Sequence, residues 1–327
     1  MTTAPFDVVG IGNAIVDVIS QADDAFLAAH AMDKGAMMLI DEARAEAIYA
    51  AMGPGIEASG GSAGNTIAGL ASLGGTAGYI GKVRDDLLGK VFRHDITAAG
   101  VTFPTPAAVD GPATARCLIL VTPDAQRTMN TFLGACVGLS PADVDADFIQ
   151  SAQVTYLEGY LYDPPLAQAA FRKAAEIAHA AGRKVSLSLS DSFCVHRHRQ
   201  AFLDLVEGHV DVLFANEAEL TALFETDDFD QAVARVRRMT ELAAVTRSAK
   251  GSVIVSATEA VAVPAAPVAR VVDTTGAGDL YAAGFLYGLT RNLPLAECGR
   301  IGSLAAAEII SHYGARPETS LAAHIKA

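Results

Sequence analysis

The chain has 327 residues and a mass of 33.8 kDa, with 51% hydrophobic and 19% charged residues. That length and composition support a sizeable core without disulfide or metal staples and exclude wholesale disorder. Its 24 Lys and Arg against 37 Asp and Glu leave a net charge of −13, which argues against nucleic-acid or membrane partners and confines any polyanion site to a local patch.

The opening MTTAPFDVVG has no basic stretch and no long apolar run, so no secretory signal is read and a cytoplasmic location is expected. Residues 58–81 are uncharged, but eight of them are Gly and Asn65 lies among them, which speaks against a membrane span. Cys117, Cys136, Cys194 and Cys298 form no C-x-x-C pair, so reduced, buried thiols are expected rather than a zinc site or a disulfide framework.

In chain order, short apolar runs at 6–12, 77–80, 154–157, 185–189, 210–214 and 253–256 read as buried strands. Helical patterns at 66–73, 85–99, 164–181, 193–206 and 229–242 fall between most of them. In 164–181 the apolar face is taken as Leu166, Ala170, Ala174, Ile177 and Ala181. The alternation predicts an α/β fold, doubly wound around a mostly parallel sheet. Two stretches break it. Residues 17–40 read as strand, short helix and strand, and 113–133 as a hairpin turning at Thr122-Pro123-Asp124. These are read as a small inserted β lid over 16–44 and 106–133, with 1–15, 45–105 and 134–327 forming the larger domain.

The strongest motif is Asp273-Thr274-Thr275-Gly276-Ala277-Gly278-Asp279, followed by an apolar helical run. Two glycines at a helix start let free N–H groups and the positive dipole end face an anion. Asp279 would repel that anion, a placement that makes sense for a group taking the proton of an attacking hydroxyl. Gly60-Gly61-Ser62-Ala63-Gly64 satisfies G-x-S-x-G, the hydrolase nucleophile elbow. That elbow needs a preceding strand, and residues 53–59 read as loop, so Ser62 is taken as the cap of the next helix. A serine hydrolase at Ser62 stays as a distant alternative. Gly10-Ile11-Gly12 lacks the third glycine of a dinucleotide fingerprint, so NAD binding is not supported. Asn216 with Glu219 has the spacing of a capping box.

These residues resemble the ribokinase-like (PfkB) carbohydrate kinase family, whose D-T-x-G-A-G-D signature matches 273–279 in full and whose other signature, a Gly-Gly followed by an Asn on a helix, resembles Gly60 to Asn65. The resemblance runs over nearly the whole chain and implies a ribokinase-like fold. Asp279 would be the catalytic base; Gly276, Ala277 and Gly278 would stabilise the transferring phosphoryl group through their amides, and Arg127, beside the hairpin, would reach the phosphates unless it is simply solvated. Gly61 and Asn65 would seat the substrate. Gly12-Asn13-x-x-x-Asp17 is similar to the substrate motif of the adenosine kinase branch, in which Asp17 would accept from two ribose hydroxyls. Asn216, Thr246, Gly251 and Thr275 would bind ATP, with Glu219 supporting Mg²⁺ through water and Asp273, with Thr275 and the Gly314 loop, framing a K⁺ ion. Thr246 to Gly251 departs from the family's T-x-G-x-x-G, because Ser248 replaces the first glycine and leaves the path of that loop open.

The implied activity is ATP-dependent phosphoryl transfer to the primary hydroxyl of a ribosyl substrate. Ala14, Ile15 and Val16 offer few polar partners around Asn13 and Asp17, which suits a nucleoside with one diol and a flat base better than a free sugar. The 5′-hydroxyl of adenosine is therefore the expected acceptor, with ribose, fructose or a keto-deoxy sugar as the alternative. Monomer and homodimer are both left open.

Overall fold

Val8 and Val9 are adjacent in the first strand and belong to different hydrophobic cores, as expected for a sheet covered on both faces. The computed structural model describes residues 4–124 and 126–325. Its strands are β1 (Phe6–Ile11), β2 (Ile15–Gln21), β3 (Met37–Leu39), β4 (Gly55–Ser59), β5 (Ala77–Ile80), β6 (Val101–Thr102), β7 (Ala115–Val121), β8 (Arg127–Phe132), β9 (Ala152–Glu158), β10 (Lys184–Ser188), β11 (Val212–Asn216), β12 (Leu242–Thr246), β13 (Ser252–Ser256) and β14 (Ala260–Val263).

The larger sheet has the order β6-β5-β1-β9-β10-β11-β12-β13-β14. Neighbours are parallel from β6 to β12, and β13 and β14 add an antiparallel edge. From β1 the chain winds outward through β5 and β6 on one side and through β9 to β12 on the other, so the switch point lies between β1 and β9. One face is covered by the helices Ser62–Ser72 and Ala277–Leu289 through Ile67, Leu70, Tyr281 and Phe285. The other is covered by Pro165–Ala180, Ser192–His209 and Glu217–Phe224 through Phe171, Phe202 and Leu220.

The smaller sheet, β3-β8-β7-β2-β4, contains the expected hairpin as antiparallel β7 and β8 and the expected strand-helix-strand as β2, Asp24–Ala29 and β3. Four details differ from the sequence reading. Residues 55–59 are not loop but strand β4, antiparallel to β2; this edge strand is bracketed by Gly53-Pro54-Gly55 and exposes Ile56, so it lacks the apolar run that marks a central strand. It therefore joins the smaller sheet, although 45–105 was assigned to the larger domain. The helix starting at Phe229 ends at Val236, and the Ala-rich LAAVT beyond it is β12. In Pro165–Ala180 the buried face is Ala167, Ala170, Phe171, Ala174, Ala175 and Ala178, with the Phe171 ring against Tyr162, while Leu166 is exposed. The four cysteines are free and buried. No helix among the described residues is long and apolar enough to cross a membrane.

Candidate active site

The carboxyl ends of β1, β9, β11 and β12 bring Asn13, Glu158, Asn216 and Thr246 to one edge of the larger sheet, the edge where open parallel sheets bind ligands. Over it starts the helix Ala277–Leu289. Gly276 caps it at φ 78, and a Cβ there would come within 2.9 Å of the Ala315 Cβ, so backbone conformation and packing both require glycine. Ala277 N–H donates to Thr274 O at 3.2 Å. The N–H groups of Gly276, Gly278 and Asp279 have no acceptor among the described residues, and no atom lies within 4 Å of a Cβ built on Gly278. The free N–H groups at this helix start are thus those of 276, 278 and 279, whereas 276 to 278 were expected.

Asp279 stands in the first turn with each oxygen held by a donor from the helix Ser62–Ser72: Ser62 Oγ donates to Oδ1 at 2.6 Å and Asn65 Nδ2 to Oδ2 at 2.9 Å. Burial raises its pKa, while these two donors and the Arg316 charge lower it. Ser62 is therefore not the helix cap; Gly61 is, at φ 83, with no side-chain cap bond. Asn65 is 5% exposed, and its Oδ1 is buried with no partner among the described residues. This is an acceptor left for a hydroxyl.

Asp17 projects from β2 against the backbone of Gly60, where any Cβ would overlap both carboxylate oxygens. Its carboxylate makes no hydrogen bond among the described residues. Burial pushes its pKa up to about 6, with nearby Asp279 adding to the rise and Arg316 and Arg127 opposing it. Arg316 ties the end of β4 to the helix Ser62–Ser72, donating to Ser59 O and Oγ at 2.9 Å and to Gly64 O at 2.5 Å. Asn13, expected to touch substrate, is 2% exposed, and its Nδ2 donates to Glu158 Oε1 at 2.6 Å. Glu158 Oε2 also accepts the Ala63 N–H at 2.7 Å, and burial pushes the pKa of Glu158 to about 7.

Arg127 reaches from β8 to Asp273 Oδ2 at 2.6 Å and Thr275 Oγ1 at 3.3 Å, leaving Nε and one terminal nitrogen buried without partners. These are spare donors suited to phosphate oxygens. Asp273 does not fit a K⁺ ligand. The Arg127 cation already neutralises it, and the Thr275 N–H and hydroxyl and the Gly314 N–H donate to its oxygens.

Asn216 and Thr246 lie side by side in the β11–β12 register. Asn216 and Glu219 form both arms of a capping box: Glu219 N–H donates to Asn216 Oδ1 at 2.8 Å and Asn216 N–H to Glu219 Oε2 at 2.9 Å. Burial, with Asp191 and Asp279 nearby, pushes the Glu219 pKa to about 7. A surplus of negative charge with Asn216 on both of its oxygens fits a hydrated dication held through water rather than directly. No cluster of three His, Cys, Asp or Glu among the described residues forms a direct metal cage. Ser248 adopts φ 51 and Gly251 φ 85, so Ser248 enters the left-handed region that glycine would have supplied, and the loop still turns.

The nucleophile elbow does not fit Ser62. A strand does precede it, but β4 is an edge strand of the smaller sheet, antiparallel to its neighbour. The Ser62 hydroxyl meets a carboxylate, with no histidine to take its proton. Sequence reasoning missed Glu158 and Arg316. A lone acid closing the strand VTYLE at the switch point was a usable signal for the first; nothing local marks the second.

A proton acceptor beside free N–H donors, near an unbonded carboxylate and an orphaned amide oxygen, suits phosphoryl transfer to an alcohol. The sequence model of the pfkB family carbohydrate kinases matches residues 56–321, and the chain belongs to that family. The chain resembles the crystal structure of adenosine kinase from Sinorhizobium meliloti at 56% identity and a TM-score of 0.92 over 99% of both chains. It also resembles a probable sugar kinase from Rhizobium etli CFN 42, at 52% identity and a TM-score of 0.92 over 100% of this chain and 98% of the other. An ATP-dependent ribose-1-phosphate kinase from Halopiger xanaduensis is 31% identical across 70% of this chain and 73% of its own. The fold is therefore ribokinase-like.

Proposed function

We propose that this protein transfers the γ-phosphoryl group of ATP to the 5′-hydroxyl of adenosine. The observation that carries this reading is Asp17, an unbonded carboxylate held against Gly60, two residues before the serine that holds Asp279. One turn thus offers two acceptor oxygens for a vicinal diol and a base for a primary hydroxyl. The likeness to the Sinorhizobium meliloti adenosine kinase over almost the full chain supports the same substrate.

In this reading Asp17 fixes the ribose by its 2′- and 3′-hydroxyls, and Asn65 Oδ1 accepts from a further hydroxyl. Asp279 takes the 5′-hydroxyl proton as that oxygen attacks the γ-phosphorus in line and ADP departs. The N–H groups of Gly276, Gly278 and Asp279 and the spare Arg127 donors face the charge spread over the transferring oxygens. Glu219, Asn216 and Thr246 lie toward the nucleotide. Bound Mg²⁺, held through water near Glu219, would neutralise phosphate charge.

An ADP-release assay tests the substrate. With Mg²⁺ and ATP, adenosine is expected to give a kcat/KM at least tenfold above ribose, fructose, ribose 1-phosphate and 2-keto-3-deoxygluconate. A sugar or sugar phosphate surpassing adenosine tenfold would replace the nucleoside by that sugar and leave the family membership intact.

A further inference from the structure

Ser62 is neither of the two glycines nor the asparagine that carry the first family signature, and Gly61 rather than Ser62 caps its helix. Its hydroxyl points across to Asp279 Oδ1 at 2.6 Å, while Asn65 Nδ2 holds Oδ2 at 2.9 Å. A carboxylate gripped at both oxygens by donors from one helix cannot rotate about its terminal torsion without breaking a bond. Each oxygen retains a second acceptor site for the substrate hydroxyl. The helix that supplies both donors is itself anchored, because Glu158 accepts the Ala63 N–H at 2.7 Å and Arg316 donates to Gly64 O at 2.5 Å.

We propose that Ser62 is a positioning residue for phosphoryl transfer, its hydroxyl orienting the Asp279 carboxylate and keeping it ionised. The inference rests on Asp279 acting as the base. Its physical basis is a hydrogen bond made to the charged form, which favours that form against burial. The need for such help is visible in the surroundings. Asp17 from β2, Glu158 and Tyr156 from β9, Tyr160 just beyond it, and Glu219 after β11 lie within electrostatic reach of Asp279, and Arg316 is the nearby cation among them. Burial favours a protonated, inactive Asp279, and Ser62, Asn65 and Arg316 work in the other direction.

The test is the pH profile of kcat under saturating adenosine and ATP, where Asp17 is covered by the ribose and its own titration is suppressed. For Ser62→Ala the acid limb is expected to move up by about one pH unit, the scale of one charge-assisted hydrogen bond. On the acid limb, below both midpoints, kcat should drop by up to roughly tenfold and recover toward wild type as pH rises past the shifted midpoint, with KM for adenosine within about twofold. The pair Ser62→Thr and Ser62→Val has the same shape with and without a hydroxyl, which covers the case in which the alanine variant folds poorly. Thr should keep the wild-type profile, and Val should show the shift. A limb that stays in place in both Ala and Val, with kcat lowered equally at every pH or not at all, would overturn the proposal. Asp279→Asn separates this from the underlying reading: if that variant retains the wild-type rate, the base assignment itself fails, whatever Ser62 does.

Discussion

Asp279→Asn is expected to lower kcat by roughly 10²- to 10⁴-fold, the usual contribution of a positioned general base, while the KM for ATP changes little. The variant is nearly isosteric; its amide oxygen can still accept from Ser62, and its NH2 can meet Asn65 once that amide turns its unpartnered Oδ1 toward it. It also removes one negative charge from a cluster in which Asp17, Glu158 and Glu219 are each pushed toward protonation partly by Asp279. The melting temperature should therefore hold or rise as activity disappears, since the acid is kept there for chemistry rather than for stability. Single-turnover phosphoryl transfer near the wild-type rate would remove Asp279 from the mechanism. A melting temperature well below wild type would mean instead that its bonds to the helix Ser62–Ser72 hold the fold together.

The second large effect is expected at Asp17. Two hydrogen bonds to a charged acceptor are each worth about 1.5–3 kcal/mol, so Asp17→Ala should cut kcat/KM for adenosine by roughly 10²-fold or more. It should barely affect 2′,3′-dideoxyadenosine, which has no diol to lose. The pH dependence follows the same logic. With its pKa raised to about 6, Asp17 in the free protein is ionised above that value and protonated below it, so adenosine binding should weaken as pH falls through 6. Equal penalties on adenosine and the dideoxy analogue would detach Asp17 from the diol.

The parts of this site that were legible in the sequence are those whose chemistry is local. Gly276, Gly278 and Asp279 lie in one turn, and a glycine pair before a helix with an acid in its first turn has few uses. Asn216 and Glu219, three apart, formed the expected capping box. Strands β1, β5, β9, β10, β11 and β13 were legible because strands buried on both faces need continuous apolar runs. The edge strand β4, Gly-Ile-Glu-Ala-Ser, carries no such run, which is why it was not read. Ser62 was misread because its partner is 217 residues away, and a local cap is the best reading available to a sequence window. Asn13 Nδ2 donates to Glu158, 145 residues on, a contact that no sequence window contains. Arg316 holds Ser59 across 257 residues. Contacts of this kind are fixed by topology, and only the assembled sheet edge reveals them.

The most direct measurement is the phosphorus NMR spectrum of the product made from adenosine, ATP and Mg²⁺. Transfer to the 5′-hydroxyl predicts a new monoester resonance split into a triplet by the two C5′ protons, growing in step with ADP and lost with Asp279→Asn. A doublet from a 2′- or 3′-phosphate, or inorganic phosphate as the only new signal besides ADP, would contradict the account.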